Sequence, residues 1–164
     1  MQALQKIRVV TDNGTPPARP RPPVVPAMTP KNGEPYRAYK PRPFTRAERD
    51  EVTVLFGGLH WRVERVLQGS MENLGYRTRV LPTASRADLL TGREGADIGQ
   101  CCPTSFTTGN LANVLRAEAE SLGAEEVSKK FIYVTAGSCG ACRFGQYHQS
   151  YELALRNVGL NSFR

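Results

Sequence analysis

Hydrophobic and polar positions become regular only after residue 50. The run Val52-Thr53-Val54-Leu55-Phe56 is β-branched and apolar, as in a buried strand, and Gly57-Gly58 closes it. From His60 to Leu74, Val63, Val66, Leu67, Met71 and Leu74 recur at helical spacing. Arg62, Glu64, Arg65 and Glu72 sit largely off that face, which predicts an amphipathic helix stopped by Gly75. Tyr76 to Leu81 predicts a second strand, closed by Pro82. Ser85 is a cap for a short helix through Leu90, and Gly92 to Gln100 reads as loop. Thr104 or Ser105 is the expected cap of the next helix, with Leu111, Val114, Leu115 and Leu122 apolar along it and Gly123 at its end. Phe131-Ile132-Tyr133-Val134 predicts a third strand. Arg143 to Val158 predicts a last helix, with Tyr147, Tyr151, Leu155 and Val158 spaced by three and four.

This alternation predicts an α/β domain over residues 51–164, with a mainly parallel sheet flanked by helices. The closing residues Leu160-Asn161-Ser162-Phe163-Arg164 fall where a further strand is due, so the domain is expected to be truncated at its C-terminus.

Residues 1–50 carry ten of the twelve prolines, mostly in TPPARPRPPVVPAMTP and YKPRPF. Each proline removes a donor and biases its predecessor away from helix, so a disordered, extended linker is expected. Such runs also dock aromatic grooves, but nothing in the sequence singles that role out. The net charge of +7 is concentrated here. Residues 1–50 hold ten Lys/Arg against four acids, and the remainder twelve against eleven. A solvated charged linker is favoured over a nucleic-acid grip, and no nucleic-acid partner is expected. No segment approaches the roughly 18–20 apolar residues of a membrane span. The N-terminus lacks a long apolar core and a cleavage motif, so a cytoplasmic chain with reduced thiols is expected, without a membrane partner.

In that setting the four cysteines carry the candidate chemistry. They fall in two clusters, Cys101-Cys102 and Cys139-Gly140-Ala141-Cys142, each followed by a helical segment. The second follows a strand, and ligands of open α/β sheets bind outside the carboxyl ends of strands. Helix entrances favour thiolate, the form that binds metal. Spacing alone leaves three readings open: an iron–sulfur cluster, zinc, and a thioredoxin-type pair at Cys139 and Cys142. An adjacent Cys-Cys suits zinc poorly, because neighbouring side chains seldom point at one ion. His60 and His148 read as surface residues, and Trp61 as a packing residue. Gly57-Gly58 lacks the Lys and Ser/Thr of a phosphate loop. No Ser-His-Asp arrangement or paired-carboxylate signature is present.

Three segments carry a resemblance: Val54-Leu55-Phe56-Gly57-Gly58-Leu59-His60-Trp61-Arg62, then Gly99-Gln100-Cys101-Cys102-Pro103-Thr104, then Gly137-Ser138-Cys139-Gly140-Ala141-Cys142-Arg143-Phe144-Gly145-Gln146-Tyr147. Residues 51–164 resemble the 2-hydroxyacyl-CoA dehydratase-like domain of large acyl-CoA dehydratase activases, related to the activator of 2-hydroxyglutaryl-CoA dehydratase. The resemblance implies a 4Fe-4S cluster held by Cys101, Cys139 and Cys142, with zinc as the alternative metal. Cys102 stands where the family is expected to carry a non-cysteine residue, and its role as a further ligand stays open. The resemblance also implies an ATP-dependent activase domain or dehydratase subunit as partner, and an acyl-CoA substrate. In that chemistry one electron, relayed by a cluster, makes the β C–H bond of a 2-hydroxyacyl thioester acidic enough to lose its proton. The competing expectation is a zinc-binding or metal-free structural module of a larger complex, or a dithiol oxidoreductase.

Overall fold

The computed structural model describes residues 43–96, 99–137 and 141–164. Disorder is expected over residues 1–50, of which 1–42 lie outside the described residues. The architecture is α/β, with one parallel three-stranded sheet and helices on both of its faces. Strand β1 (Thr53–Phe56) lies between β2 (Arg77–Val80) and β3 (Phe131–Tyr133). Thr53 stands opposite both Arg77 and Phe131. Alternation along β1 sends Leu55 to one face and Val54 and Phe56 to the other.

On the Leu55 face lie α3 (Cys102–Leu122) and α5 (Tyr147–Asn157), which bury Leu111, Leu115, Tyr151 and Leu155. Leu55, Leu111 and Leu115 are essentially fully buried, each worth about 2 kcal/mol of burial free energy. The opposite face holds a smaller cluster of Val52, Val54, Phe56 and Ile132, against which Phe44 and Met71 pack. Phe44 lies before the compositional break at residue 50. The 3-10 turn Arg46–Glu48 follows it, and Glu48 pairs with Arg164 at 3.0 Å, both largely buried. The folded part therefore begins several residues earlier than composition suggests. Arg164 also accepts the Tyr133 backbone N–H at the outer edge of β3 (2.9 Å).

Helix α1 (Trp61–Asn73) connects β1 to β2, but none of its residues is fully buried. Only Met71 of the expected apolar face reaches the core cluster. Val63, Val66, Leu67 and Leu74 stay exposed, Val66 by 68%. Trp61 is 62% exposed, stacked on His60 and lying under the Arg62 guanidinium, so it is not a packing residue. His60 caps α1, its Nδ1 accepting the Arg62 N–H at 3.3 Å.

Helix α2 (Arg86–Gly95) extends past the expected end at Leu90 and through the start of the expected loop. The reason lies in its crossing with α3. A Cβ on Gly92 would stand 1.8 Å from the Ser105 carbonyl oxygen, and one on Gly109 1.8 Å from that of Asp88. Two glycines let the backbones touch, so Gly92 acts here as a packing residue rather than a stop. Asp88 anchors the same contact. Its carboxylate accepts from the Ser85 N–H (2.7 Å) and from the Asn113 and Asn110 side chains (2.7 and 3.4 Å). Burial alone would raise the Asp88 pKa, but these bonds outweigh it and hold the carboxyl below its ordinary range.

Helix α3 starts earlier than expected, with Cys101 as its N-cap instead of Thr104 or Ser105. Pro103 fits the first turn, where no intrahelical partner for its missing N–H is needed. A short α4 (Ala124–Lys130) precedes β3. It shows no apolar period, burying only Val127 and Ser128, and carries Glu125 and Glu126 first and Lys129 and Lys130 last. The final helical stretch opens as a 3-10 turn, Arg143–Gln146, before α5.

Candidate thiol site

The strand order creates the site. The chain moves outward from β1 to β2 through α1, then returns across β1 through α2, α3 and α4 to reach β3. The direction of winding reverses between β1 and β3, and a crevice opens outside their carboxyl ends. A cavity of about 30 Å³ lies there between Gly57-Gly58 after β1, Val134-Thr135-Ala136 after β3, and the Tyr147 ring.

Cys101 enters this rim from the α3 N-terminus. Its Sγ is 3.0 Å from the Thr104 hydroxyl and 3.4 Å from the Tyr147 hydroxyl. The Thr104 hydroxyl foremost, then that of Tyr147, pull the Cys101 pKa down from 9.0 to about 7. Thiolate is therefore a major form of Cys101 near neutral pH. Tyr147, the first residue of α5, is buried edge-on to Phe144 (5.1 Å) and Tyr151 (6.2 Å). The Tyr151 hydroxyl donates to Thr107 Oγ1 at 3.0 Å, and the Thr107 hydroxyl bonds the Pro103 carbonyl, also at 3.0 Å. Hydroxyl groups thus tie the first turns of α3 and α5 together.

Cys142 immediately precedes the 3-10 turn that leads into α5, and it is exposed, as is Cys101. Burial, followed by the Cys101 hydrogen bond, raises the Tyr147 pKa, and the charges of Cys101 and Cys142 both add to the rise. Cys101 bonds Tyr147 directly, and Cys142, 41 positions further along the chain, opens the 3-10 turn that leads into Tyr147. Cys102 turns elsewhere, its sulfur meeting the Arg93 guanidinium of α2 at 3.8 Å. Cys139, the remaining predicted ligand, lies outside the described residues. Among the described residues no group of three or more His, Cys, Asp or Glu is placed to hold a metal ion.

Exposed thiols are the donor type that a soft metal or an iron–sulfur group takes, and two hydroxyls lie within hydrogen-bond distance of the Cys101 sulfur. Beside this rim a larger crevice of about 530 Å³ opens at the ends of β1 and β2, walled by Leu59, Trp61, Pro82, Phe106 and Asn110. Thr107 borders both spaces. Sequence reasoning missed two participants. The sequence marks Thr104 as a helix cap and Tyr147 as part of an apolar helix face, yet both bond the Cys101 sulfur. Their signal was position, each falling in the first turn of the helix that follows a cysteine cluster.

The chain matches no protein-family model, no curated protein and no solved structure. The chemistry of the site rests on its own residues. Among the described residues, no helix is long and apolar enough to cross a membrane.

Proposed function

We propose that this chain is an iron–sulfur-binding electron-transfer domain of the 2-hydroxyacyl-CoA dehydratase/activase type. The Cys101 sulfur bonded to Thr104 and Tyr147, at the crevice where the sheet reverses its winding and with Cys142 opening the turn that leads into Tyr147, is the observation that carries the reading. The three cysteine-bearing and glycine-rich segments quoted above support the choice of family. Cys101, Cys139 and Cys142 hold the 4Fe-4S cluster in this reading, and Cys102, turned toward Arg93, does not. Such a cluster would supply one-electron transfer and Lewis acidity toward an acyl-CoA thioester. This chain's residues position the thiolate: Thr104 and Tyr147 orient Cys101 and stabilise its charge, and Phe144 packs edge-on against the Tyr147 ring. The electron comes from an ATP-dependent activase domain or is passed on to a dehydratase subunit.

The test is anaerobic purification with iron and acid-labile sulfide analysis. Brown, oxygen-sensitive protein is expected. Cys101→Ala, Cys139→Ala and Cys142→Ala each lose the iron, while Cys102→Ala keeps it. Colourless protein with stoichiometric zinc overturns the proposal in favour of a structural zinc module. Metal-free protein with reversible two-electron thiol chemistry overturns it in favour of a dithiol oxidoreductase.

A further inference from the structure

The crevice of about 530 Å³ beside the thiol rim takes no part in holding the Cys101 sulfur. It opens between the N-terminal halves of α1 and α3, outside the carboxyl ends of β1 and β2, where open α/β sheets bind their ligands. Its volume falls within the range of roughly 300–1,000 Å³ typical of small-molecule sites. Leu59, Trp61, Pro82 and Phe106 give it apolar walls, and Tyr133 lines it with its hydroxyl already donated to the Gly57 carbonyl (3.2 Å). Leu59 and Trp61 stay exposed, although each is large and apolar. The Trp61 ring is nevertheless held, stacked on His60 (5.9 Å) and with the Arg62 guanidinium 5.1 Å from its centre. An indole fixed in place yet mostly exposed suits an aromatic or cationic ligand.

The polar groups decide the sign of the charge. Among the described residues lining the crevice, Glu64 is the only acid, and none is a lysine or an arginine. Glu64 is half-buried, and its Oε1 accepts the Leu59 N–H at 3.0 Å. Among the described residues it forms no ion pair: Arg62 lies over Trp61, and Arg65 bonds Gln68 at 3.0 Å. Asn110, only 5% exposed, donates its Nδ2 to Asp88 at 3.4 Å, which leaves its carbonyl oxygen as an acceptor. Both side chains thus offer oxygen, one of them charged, and a ligand that fits them brings N–H donors and positive charge. A carboxylate among apolar walls is screened less than one on open surface, so it attracts a cation more strongly.

We propose that this crevice is a second site, for a small aromatic primary amine. Its ammonium pairs with Glu64, its ring packs among the apolar walls that include Trp61, and Asn110 accepts from a further donor on the ligand. Compounds of the same shape without the positive charge are selected against. Glu64 repels an anion, and a neutral compound forms no charge-assisted hydrogen bond with it.

The test titrates the full chain with phenethylamine, phenethyl alcohol and hydrocinnamate, which share a ring and a short side chain but end in a positive, a neutral and a negative group. Binding is read by isothermal calorimetry and by the emission of Trp61, the only tryptophan. Phenethylamine is expected to bind with a dissociation constant below about 1 mM and to change Trp61 emission over the same range. The alcohol is expected to bind roughly tenfold more weakly, and hydrocinnamate more weakly still. Glu64→Gln keeps an acceptor for the Leu59 N–H and removes the charge. It should weaken phenethylamine roughly tenfold and leave the alcohol unchanged. The proposal is overturned if the alcohol or the carboxylate binds as tightly as the amine, or if Glu64→Gln leaves amine affinity unchanged. It is also overturned if the amine produces no heat, or binds without a response from Trp61. The ligand series on the unaltered chain decides the matter even if the variant fails to fold. No readout involves the cysteines, so the iron–sulfur reading stands or falls separately.

Discussion

The Cys101 thiol is acidified by two hydroxyl groups rather than by a neighbouring cation. Its thiol should ionise near pH 7 because Thr104 and Tyr147 point at the sulfur at 3.0 and 3.4 Å. Hydrogen bonds to the charged form lower a pKa, so removing one restores part of the ordinary value. In metal-free protein, the pH profile of iodoacetamide modification at Cys101, read by peptide mass spectrometry, should have its midpoint near 7. In Thr104→Val the midpoint moves up toward 9.0, and in Tyr147→Phe it moves the same way by less. An unchanged midpoint in both variants means that the hydroxyls do not act on the thiol. Cys102, beside it in sequence, is held by Arg93 on another helix, so neighbours in the chain have separate surroundings.

At the scale of elements, the α2–α3 crossing fixes where α3 begins, and with it the position of Cys101. Gly92→Ala and Gly109→Ala each drive a methyl group into a backbone carbonyl oxygen that cannot move without separating the helices. Each is expected to destabilise the fold by about 3 kcal/mol, the upper end of ordinary overpacking, measured by urea unfolding. A loss below about 1 kcal/mol, where overpacking costs begin, means the crossing is looser than described. The same crossing shows where the sequence was legible. Strands β1, β2 and β3 and helix α1 were readable to within one or two residues, because β-branched runs and helical apolar spacing mark them directly. The end of α2 was not, because a glycine that admits a neighbouring backbone looks like a glycine that stops a helix. Helix α4 was not, because its order comes from charge at its ends instead of an apolar period. The two thiol positions were legible as candidates. Their hydroxyl partners were not, since a threonine and a tyrosine acquire that role only when α3 and α5 meet. The apolar face of α1 is legible as a stripe, but its exposure is not, because a pattern of side chains does not say what stands opposite.

For the molecule as a whole, the two ends of the described fold are joined by one ion pair. Glu48 precedes β1, and Arg164 lies against the outer edge of β3. The Arg164 hydrogen bond, then the Thr45 backbone N–H, lower the Glu48 pKa from 4.5 to about 2. A lowered carboxyl pKa contributes stability that is fully present above 4.5 and disappears as the pH falls toward 2. Thermal melting of wild type and Glu48→Gln should therefore differ most above pH 4.5 and converge near pH 2. A difference that stays constant across that window removes ionisation of Glu48 from the account. The winding of the sheet has a consequence for the thiol rim. Cys101 arrives on the chain that returns from β2, and Cys142 on the chain that leaves β3, so the rim between them depends on β3 being paired with β1. The thiol rim thus requires the β1–β3 pairing, and a chain without that pairing does not present it. A group that bridges Cys101 and Cys142 closes a loop of 41 residues, which in the chain-entropy account of cross-links lowers the unfolded state's freedom by about 4 kcal/mol. Loading the rim would then act as a latch on the sheet, slowing its unfolding and marking which copies have finished folding.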